Sequence, residues 1–499
     1  MIPRWIVLCL VLTGTAACVA DIGGPKKVPR IRVISDIIRT DTIDAGPSKP
    51  IVIQISDSSG GLRNQVTVNI VGTPAGTPDG NFGMWVRDAG GGPSGGVNLI
   101  SDGQASFQVF FGRRAGPAPI VISVPELRLV DTLWFTVKPG APAHVTLRPG
   151  FAVVVIGGSY LQSAIVVDEG GNDLYLSTRL TLFSSDPEVT VSAIGQVTGA
   201  AYGRAGIKVS YEQMTETAAV SVVPVGRLAT VLTPNGVPEA SVTVLGTDGS
   251  GLRRYPTPQD ASAAVWSADA TRIYYVGTSR GANQTQRIYS LTLADGASSP
   301  LVQDTVTGLI GAKLASPAIS SDGSWIYFTT QIAINGPTSG DVWRVHPDGT
   351  GLTRLVTGPV TGSPWVARTS PSPSPDGTRL AYVEKTTSST TTANDVKILD
   401  LQSGSTLTIS GSGADEIRWS PTANRIATKG GAGLYVVNAD GSGLTQLVPN
   451  ISFFTGLDWS PDGRWIVANL WGTPTILDPA TGLQLPLGFR GEGQSWSSR

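Results

Sequence analysis

Short runs of alternating or continuous apolar residues, each closed by turn formers, recur along almost the whole chain. Ile51-Val52-Ile53-Gln54-Ile55 runs into Asp57-Ser58-Ser59-Gly60-Gly61, and Val66-Thr67-Val68-Asn69-Ile70 follows. Later come Ser101-Asp102-Gly103-Gln104-Ala105-Ser106-Phe107, the Ala115-Gly116 turn and Leu133-Trp134-Phe135-Thr136-Val137. A period of two with β-branched residues predicts strands, because such side chains fit a pleated surface buried on one face. Beyond the N-terminus no apolar residues recur at three-four spacing over ten or more positions, so no substantial helix is expected. The chain reads as all-β, and its 499 residues exceed one ordinary core, so about three folded units are expected.

The first eighteen residues depart from this pattern. Arg4 precedes an apolar run from Trp5 to Leu12, then small residues Gly14, Thr15, Ala16 and Ala17 lead to Cys18. The run is too short to span a bilayer and ends like a signal-peptide cleavage region, which sets residues 1–17 apart as a leader. Thr15-Ala16-Ala17-Cys18 resembles the bacterial lipobox, with Thr15 where Leu is commoner. The resemblance implies that Cys18 becomes an acylated first residue, with residues 18–29 a tether. Cys9, the only other cysteine, lies in the leader, so Cys18 has no partner for a disulfide. Val19 replaces the Asp that signals inner-membrane retention, so the expectation is an outer-membrane lipoprotein that meets the bilayer only through its anchor.

Two β-rich modules are expected next, at residues 30–140 and 141–225, joined by the hinge Lys138-Pro139-Gly140-Ala141-Pro142-Ala143. The first resembles the invasin-type bacterial immunoglobulin-like domain, with the glycine-rich stretch Gly90 to Gly96 read as an insertion. In the second, Ser184-Ser185-Asp186-Pro187-Glu188-Val189-Thr190-Val191, Gly195-Gln196-Val197-Thr198-Gly199 and Gly203-Arg204-Ala205-Gly206-Ile207-Lys208-Val209 resemble the group-2 bacterial immunoglobulin-like domain. Both resemblances imply β-sandwiches whose simplest role is spacing. His144 at the hinge is read as an exposed linker residue.

Internal repetition dominates residues 226–499. Trp459-Ser460-Pro461-Asp462-Gly463 has relatives at Trp266-Ser267-Ala268-Asp269-Ala270, Ile319-Ser320-Ser321-Asp322-Gly323, Pro373-Ser374-Pro375-Asp376-Gly377 and Trp419-Ser420-Pro421, spaced roughly 40 to 54 residues apart, the scale of a propeller blade with loop insertions in the longer steps. Asp348-Gly349-Thr350-Gly351-Leu352 and Asp440-Gly441-Ser442-Gly443-Leu444 mark a second turn, a tight hairpin in which Asp-Gly supplies positive backbone angles. One unit therefore reads as four strands, the content of a propeller blade. The segment opening at Arg227 lacks a first strand, and Gln494-Ser495-Trp496-Ser497-Ser498 matches only that strand. Joining them would close a ring of six blades without a free edge. These repeats resemble the WD-like repeats of TolB-type propellers, which implies a protein-binding scaffold. TolB joins its propeller to a small α/β domain, where this chain has immunoglobulin-like modules.

Composition narrows the chemistry. The net charge of −1 with no basic cluster excludes nucleic acid as a partner. Trp266, Trp419, Trp459 and Trp496 occupy one repeat position and are read as packing between blades. Asp269, Asp322, Asp376 and Asp462 are read as turn residues bonding their own backbone, and no metal site or cofactor is expected. His346 is placed in an exposed hairpin, and with no His cluster, no free mature thiol and no α/β hydrolase domain, no catalytic residue is assigned. What remains is the channel lined by the strand leading into each Trp-Ser motif, where Asp415, Glu416, Arg418 and Asp458 are the charged candidates for contact. The expected function is a non-catalytic envelope scaffold whose partner is another envelope or extracellular protein, with a glycan as the other ligand class. The alternatives are an adhesin, binding through the immunoglobulin-like modules or a long blade loop at Thr386 to Asn394, and a glycan- or peptide-processing propeller enzyme.

Overall fold

A computed structural model describes residues 28–72, 84–88, 91, 94–175, 180–232, 241–279, 285–302, 309, 312–331, 340–357, 364–388, 390–410, 413–430, 432–451, 456–489 and 492–497. The leader and Cys18 lie outside the described residues, as does part of Gly90 to Gly96. The fold is all-β: a single short 3-10 turn, Pro125–Leu127, is the one helical element among the described residues. No helix among them is long and apolar enough to cross a membrane.

Two compact units emerge, one drawn from Met1–Val145 and Ile165–Thr178, the other from Thr146–Ala164 and Arg179–Arg499. In the first, a sheet of Arg30–Val33, Ile51–Ser56, Gln104–Phe111 and Met84–Arg87 shares one core with a five-stranded sheet. The five strands, in order, are Thr40–Thr42, Leu129–Lys138, Gly116–Val124, Asn64–Val71 and Gly96–Asp102. Alternation decides the facing: Ile51, Ile53 and Ile55 are buried while Val52, Gln54 and Ser56 are half-exposed. They meet Val68, Ile70, Ile120, Ile122 and Phe135 from the opposite sheet, and full burial of such a side chain is worth about 1.5–3 kcal/mol.

The second unit joins most of the second β-rich module to the repeat region. Phe151–Val155 runs parallel to Met214–Val223, which pairs antiparallel with Gly203–Tyr211. Val154, Val197, Ile207, Val220 and Val222 form this module's own core. Val223 instead belongs to a different cluster with Leu228, Trp465, Val467 and Trp496. Tyr202 packs edge-on against Trp465 at 5.0 Å, and Arg464 lies over both rings. The Thr247 hydroxyl donates to the Pro224 carbonyl at 2.6 Å. The junction near residue 225 is thus a packed seam.

Six four-stranded antiparallel sheets follow. The first repeat begins with Asp260–Trp266, the second with Lys313–Ile319, the third with Trp365–Pro373, the fourth with Glu416–Trp419 and the fifth with Leu457–Trp459. In each, four consecutive strands pair in chain order. The closing sheet takes its first strand from the C-terminus: Glu492–Trp496 pairs with Arg227–Leu232 in the register Leu228 to Trp496 and Ala229 to Ser495. Ser241–Gly246 and Arg253–Tyr255 complete it.

The turn motif has a common physical basis. The Ser374 hydroxyl donates to Asp376, and the Ser374 oxygen accepts the Arg379 N–H at 2.9 Å, while Asp376 accepts the Thr378 N–H at 3.0 Å. Ser267 with Asp269, Ser320 with Asp322 and Ser460 with Asp462 repeat the arrangement. Each carboxylate accepts its own turn's backbone N–H. The serine bond holds Asp269, Asp322 and Asp376 below the usual carboxylate range.

Two expectations are corrected. Thr386 to Asn394 is not a long loop: Arg379–Thr387 and Thr392–Asp400 pair in register to the tip, Thr387 opposite Thr392, because a run of β-branched threonines extends as strand. His346 is half-buried instead of exposed, stacked on Trp325 at 3.7 Å with Nδ1 at 2.8 Å from the Ser324 carbonyl. His144 is exposed.

Candidate functional site

The residue immediately before the Trp position in the six sheets is Val265, Ala318, Ser372, Arg418, Asp458 and Ser495. All six line one cavity of about 390 Å³, walled also by the Trp residues and the Ser-Pro turns. A second cavity of about 410 Å³ lies toward the start of the same strands and is lined by Ser262, Ser316, Ser370, Asp415, Glu416, Lys429 and others. Arg418 lines both cavities and so stands where the two chambers meet.

The tryptophans tie sheet to sheet. Trp266, Trp419, Trp459 and Trp496 are all buried. The Trp419 N–H donates to Ser372 Oγ at 2.8 Å, and the Trp496 N–H to Asp458 Oδ2 at 2.8 Å. Indole N–H groups of Trp459 and Trp266 donate to the carbonyls of Arg418 and Ser495, both at 3.0 Å. Arginines of the preceding sheet cover the rings: Arg379 over Trp419, Arg425 over Trp459 and Arg227 over Trp266, at 4.7 to 5.0 Å. Such contacts contribute about 0.5–2 kcal/mol each.

Backbone geometry distinguishes the fourth repeat. Three positions before the Trp site, Ala263, Ser316 and Ser370 take left-handed angles of 47°, 52° and 52°, and Gly456 stands at 123°. In the first three repeats strand register breaks there, as in a bulge. The fourth has Glu416 at this place, in unbroken register opposite Lys429. Period two then puts Glu416 and Arg418 on one face with Lys429 across from them.

Glu416 is held from three directions. Its Oε2 accepts the Gly456 N–H at 3.0 Å and lies 3.6 Å from Lys429 Nζ, while Oε1 lies 3.6 Å from Arg418 Nη2. Arg418 Nη1 donates to Ser370 Oγ at 3.2 Å and the Ile417 carbonyl at 2.8 Å. Lys429 is only 4% exposed, and burial pushes its ammonium below the ordinary lysine value while Glu416 pulls the other way. Asp415 precedes the strand and accepts a 2.9 Å bond from Asn394 Nδ2.

Asp458 faces the first chamber, accepting the Trp459 N–H at 2.9 Å and the Trp496 N–H. Burial raises its carboxyl above the usual range, against the pull of Arg418 and these two N–H groups. The four sequence-chosen residues therefore divide: Glu416 and Arg418 touch, Asp458 lies beside Arg418 on the first chamber, and Asp415 sits at the second. Sequence reasoning missed Lys429, Lys385 and Asn394, all on the wall of the second chamber. The signal available for Lys429 was its repeat position, which holds Val276, Thr329, Val383 and Asn469 elsewhere.

Among the described residues no group of three or more His, Cys, Asp or Glu side chains could hold a metal ion. No protein-family model matches the chain, and no curated protein sequence matches it. Among solved structures it is similar to TolB-type β-propeller proteins. TolB from Acinetobacter baumannii is 17% identical over 64% of this chain and 83% of that one, with a TM-score of 0.43. A protein assigned as TolB from Agrobacterium tumefaciens is 17% identical over 54% of this chain and 92% of that one, at 0.39. An oligogalacturonate lyase in complex with manganese is 11% identical over 70% and 97%, at 0.36.

Proposed function

We propose that the chain is a non-catalytic binding protein of the cell envelope, anchored through Cys18, whose six sheets form a six-bladed propeller that takes a protein partner at its channel. On this reading residues 30–140 and 141–225 are immunoglobulin-like spacers, and the outer membrane is the site of anchoring. The observation that carries it is the charged sector of the channel. Glu416, Arg418, Lys429 and Asp458 come from two neighbouring sheets, whereas before the Trp position the other four sheets carry Val265, Ala318, Ser372 and Ser495. Partly desolvated charges beside a narrow cavity focus their field and favour a complementary partner.

The test is affinity capture from a native envelope fraction with the full-length chain as bait. The proposal predicts a discrete partner retained by the wild type and lost with Arg418→Gln, but retained with Trp134→Ser in the first unit. Capture that survives Arg418→Gln and fails with Trp134→Ser would overturn it in favour of an adhesin. Turnover of a glycan or peptide abolished by Asp415→Asn or Asp458→Asn would replace it with an enzyme.

A further inference from the structure

One tryptophan breaks the rule that its neighbours keep. Among the described residues of the second unit, Trp471 alone of the tryptophans is exposed, at 57%. It stands at the tip of a hairpin: Leu470 pairs with Thr473, so Trp471-Gly472 is a two-residue turn, with φ of 50° and 85°. Left-handed angles at both central positions define the turn that Asn-Gly fills best, and a bulky side chain at the first of them is strained. The fourth repeat closes its corresponding hairpin with Gly430, Gly431, Ala432 and Gly433, so the scaffold does not require a ring there. Strain held at an exposed aromatic points to a use other than packing.

The ring is also fixed in place. Its indole N–H donates to the Asn450 carbonyl at 3.1 Å, and Asn450, itself left-handed at 49°, donates its backbone N–H to the Ala432 carbonyl at 3.2 Å. The same carbonyl accepts Gln446 Nε2 at 3.0 Å and the Tyr435 hydroxyl at 3.3 Å. An indole, a phenol and the exposed Asn450 and Gln446 are thus linked across two neighbouring sheets. Residues 430–437, 441–451 and 465–477, which supply them all, contain no Asp, Glu, Lys, Arg or His. A rigid ring open to solvent, bordered by amide and hydroxyl groups and by no charge, has the chemistry that receives a pyranose. The apolar C–H face of the sugar lies on the indole, and its hydroxyl groups exchange hydrogen bonds with the amides.

We propose that Trp471 is the stacking platform of a surface site for a neutral, β-linked glycan with equatorial hydroxyl groups. Equatorial substitution leaves each sugar face flat and apolar, so one residue covers the indole while the next reaches Asn450 and Gln446. A charged glycan finds no counter-ion in these segments. Trp471, Asn450 and Gln446 line neither cavity of the channel, so this site stands or falls independently of a partner held at Arg418.

Isothermal titration of the full-length chain with cellotetraose and tetra-N-acetylchitotetraose tests it. The expected result is saturable binding of at least one of them, weakened at least about tenfold in Trp471→Asn and largely kept in Trp471→Tyr. The unfolding temperature of Trp471→Asn should be maintained or raised, because Asn-Gly suits the turn. No saturable binding of either sugar up to about 10 mM, a weak-binding ceiling, would overturn the proposal, as would wild-type affinity in Trp471→Asn. Equal loss in Trp471→Tyr and Trp471→Asn would also overturn it, since the indole N–H and not the ring face would then be what matters. Loss of a captured envelope protein in Trp471→Asn, with neither sugar bound, would assign the surface to a protein instead.

Discussion

The first and second repeats and the fourth and fifth are built on the same four-stranded plan, yet they bring opposite kinds of side chain to the cavities they line. Val265 and Ala318 stand where Arg418 and Asp458 stand, and Val276 and Thr329 where Lys429 and Asn469 do. The neutral sector shows what the scaffold needs: small or apolar side chains, a left-handed residue at the bulge, and a turn in which serine and aspartate satisfy the backbone. The charged sector keeps the strands, and its fifth repeat keeps the turn, but the fourth has Thr422 in place of the turn aspartate, gives up the bulge at Glu416 and buries a lysine. A repeat that departs from its own packing rule at several neighbouring positions is where function is to be sought.

The comparison can be broken most sharply at the tryptophans, which both sectors share. Trp459→Ala should cost about 3–5 kcal/mol in chemical unfolding, because the ring is buried, donates to the Arg418 carbonyl and lies under Arg425. The exposed Trp471, replaced by Ala, should change stability by no more than about 0.5 kcal/mol. Equal effects would refute the packing role.

The charged sector gives the next largest contrast. Glu416→Ala leaves Arg418 and Lys429 uncompensated and should cost about 3 kcal/mol, whereas Lys429→Met leaves Glu416 paired with Arg418 and the Gly456 N–H and should cost clearly less. Equal destabilisation by both substitutions would mean that the pair is a structural staple. Ser374→Ala, in the turn that the fifth repeat shares with the first three, removes the acceptor for Arg379 and the donor to Asp376. A loss of about 1 kcal/mol is expected, measured the same way.

The smallest effect is in acid. Asp269, Asp322 and Asp376 bind protons less tightly folded than unfolded. Their stabilisation is complete above the unfolded carboxylate value near 3.9 and is lost as pH falls through the lower folded values. Asp458 has the opposite sign: it favours the folded state when protonated, and that contribution disappears as pH rises through its raised folded value. Asp322→Asn should therefore flatten the fall in unfolding temperature below about pH 4, and an unchanged profile would show that the turn carboxylates do not set it.

Much of the repeat region was legible because its signals are local. Trp-Ser-Pro-Asp-Gly sets a turn by its own hydrogen bonds, and a terminal strand without partners in its own segment implies pairing with the other end, as Trp496 does with Leu228. What stayed hidden depends on contacts distant in sequence. Tyr202 against Trp465 makes a packed seam that no composition change near residue 225 announces. Lys385 and Asn394 reach the chamber because the Thr-rich hairpin continues as strand, whereas polar residues at this spacing suggest a loop. Lys429 sits in a strand whose period is ordinary, and only alignment of the repeats shows a lysine where the others carry Val276, Thr329, Val383 and Asn469.

The central claim is that the charged sector of the channel, not the first unit, holds the partner. The decisive measurement is the dissociation constant of the captured partner for the full-length wild type, Arg418→Gln and Trp134→Ser. The account predicts at least about tenfold weakening, or 1.4 kcal/mol, with Arg418→Gln in a chain that remains folded at the assay temperature, and no change with Trp134→Ser. Wild-type affinity in Arg418→Gln together with lost affinity in Trp134→Ser would contradict it.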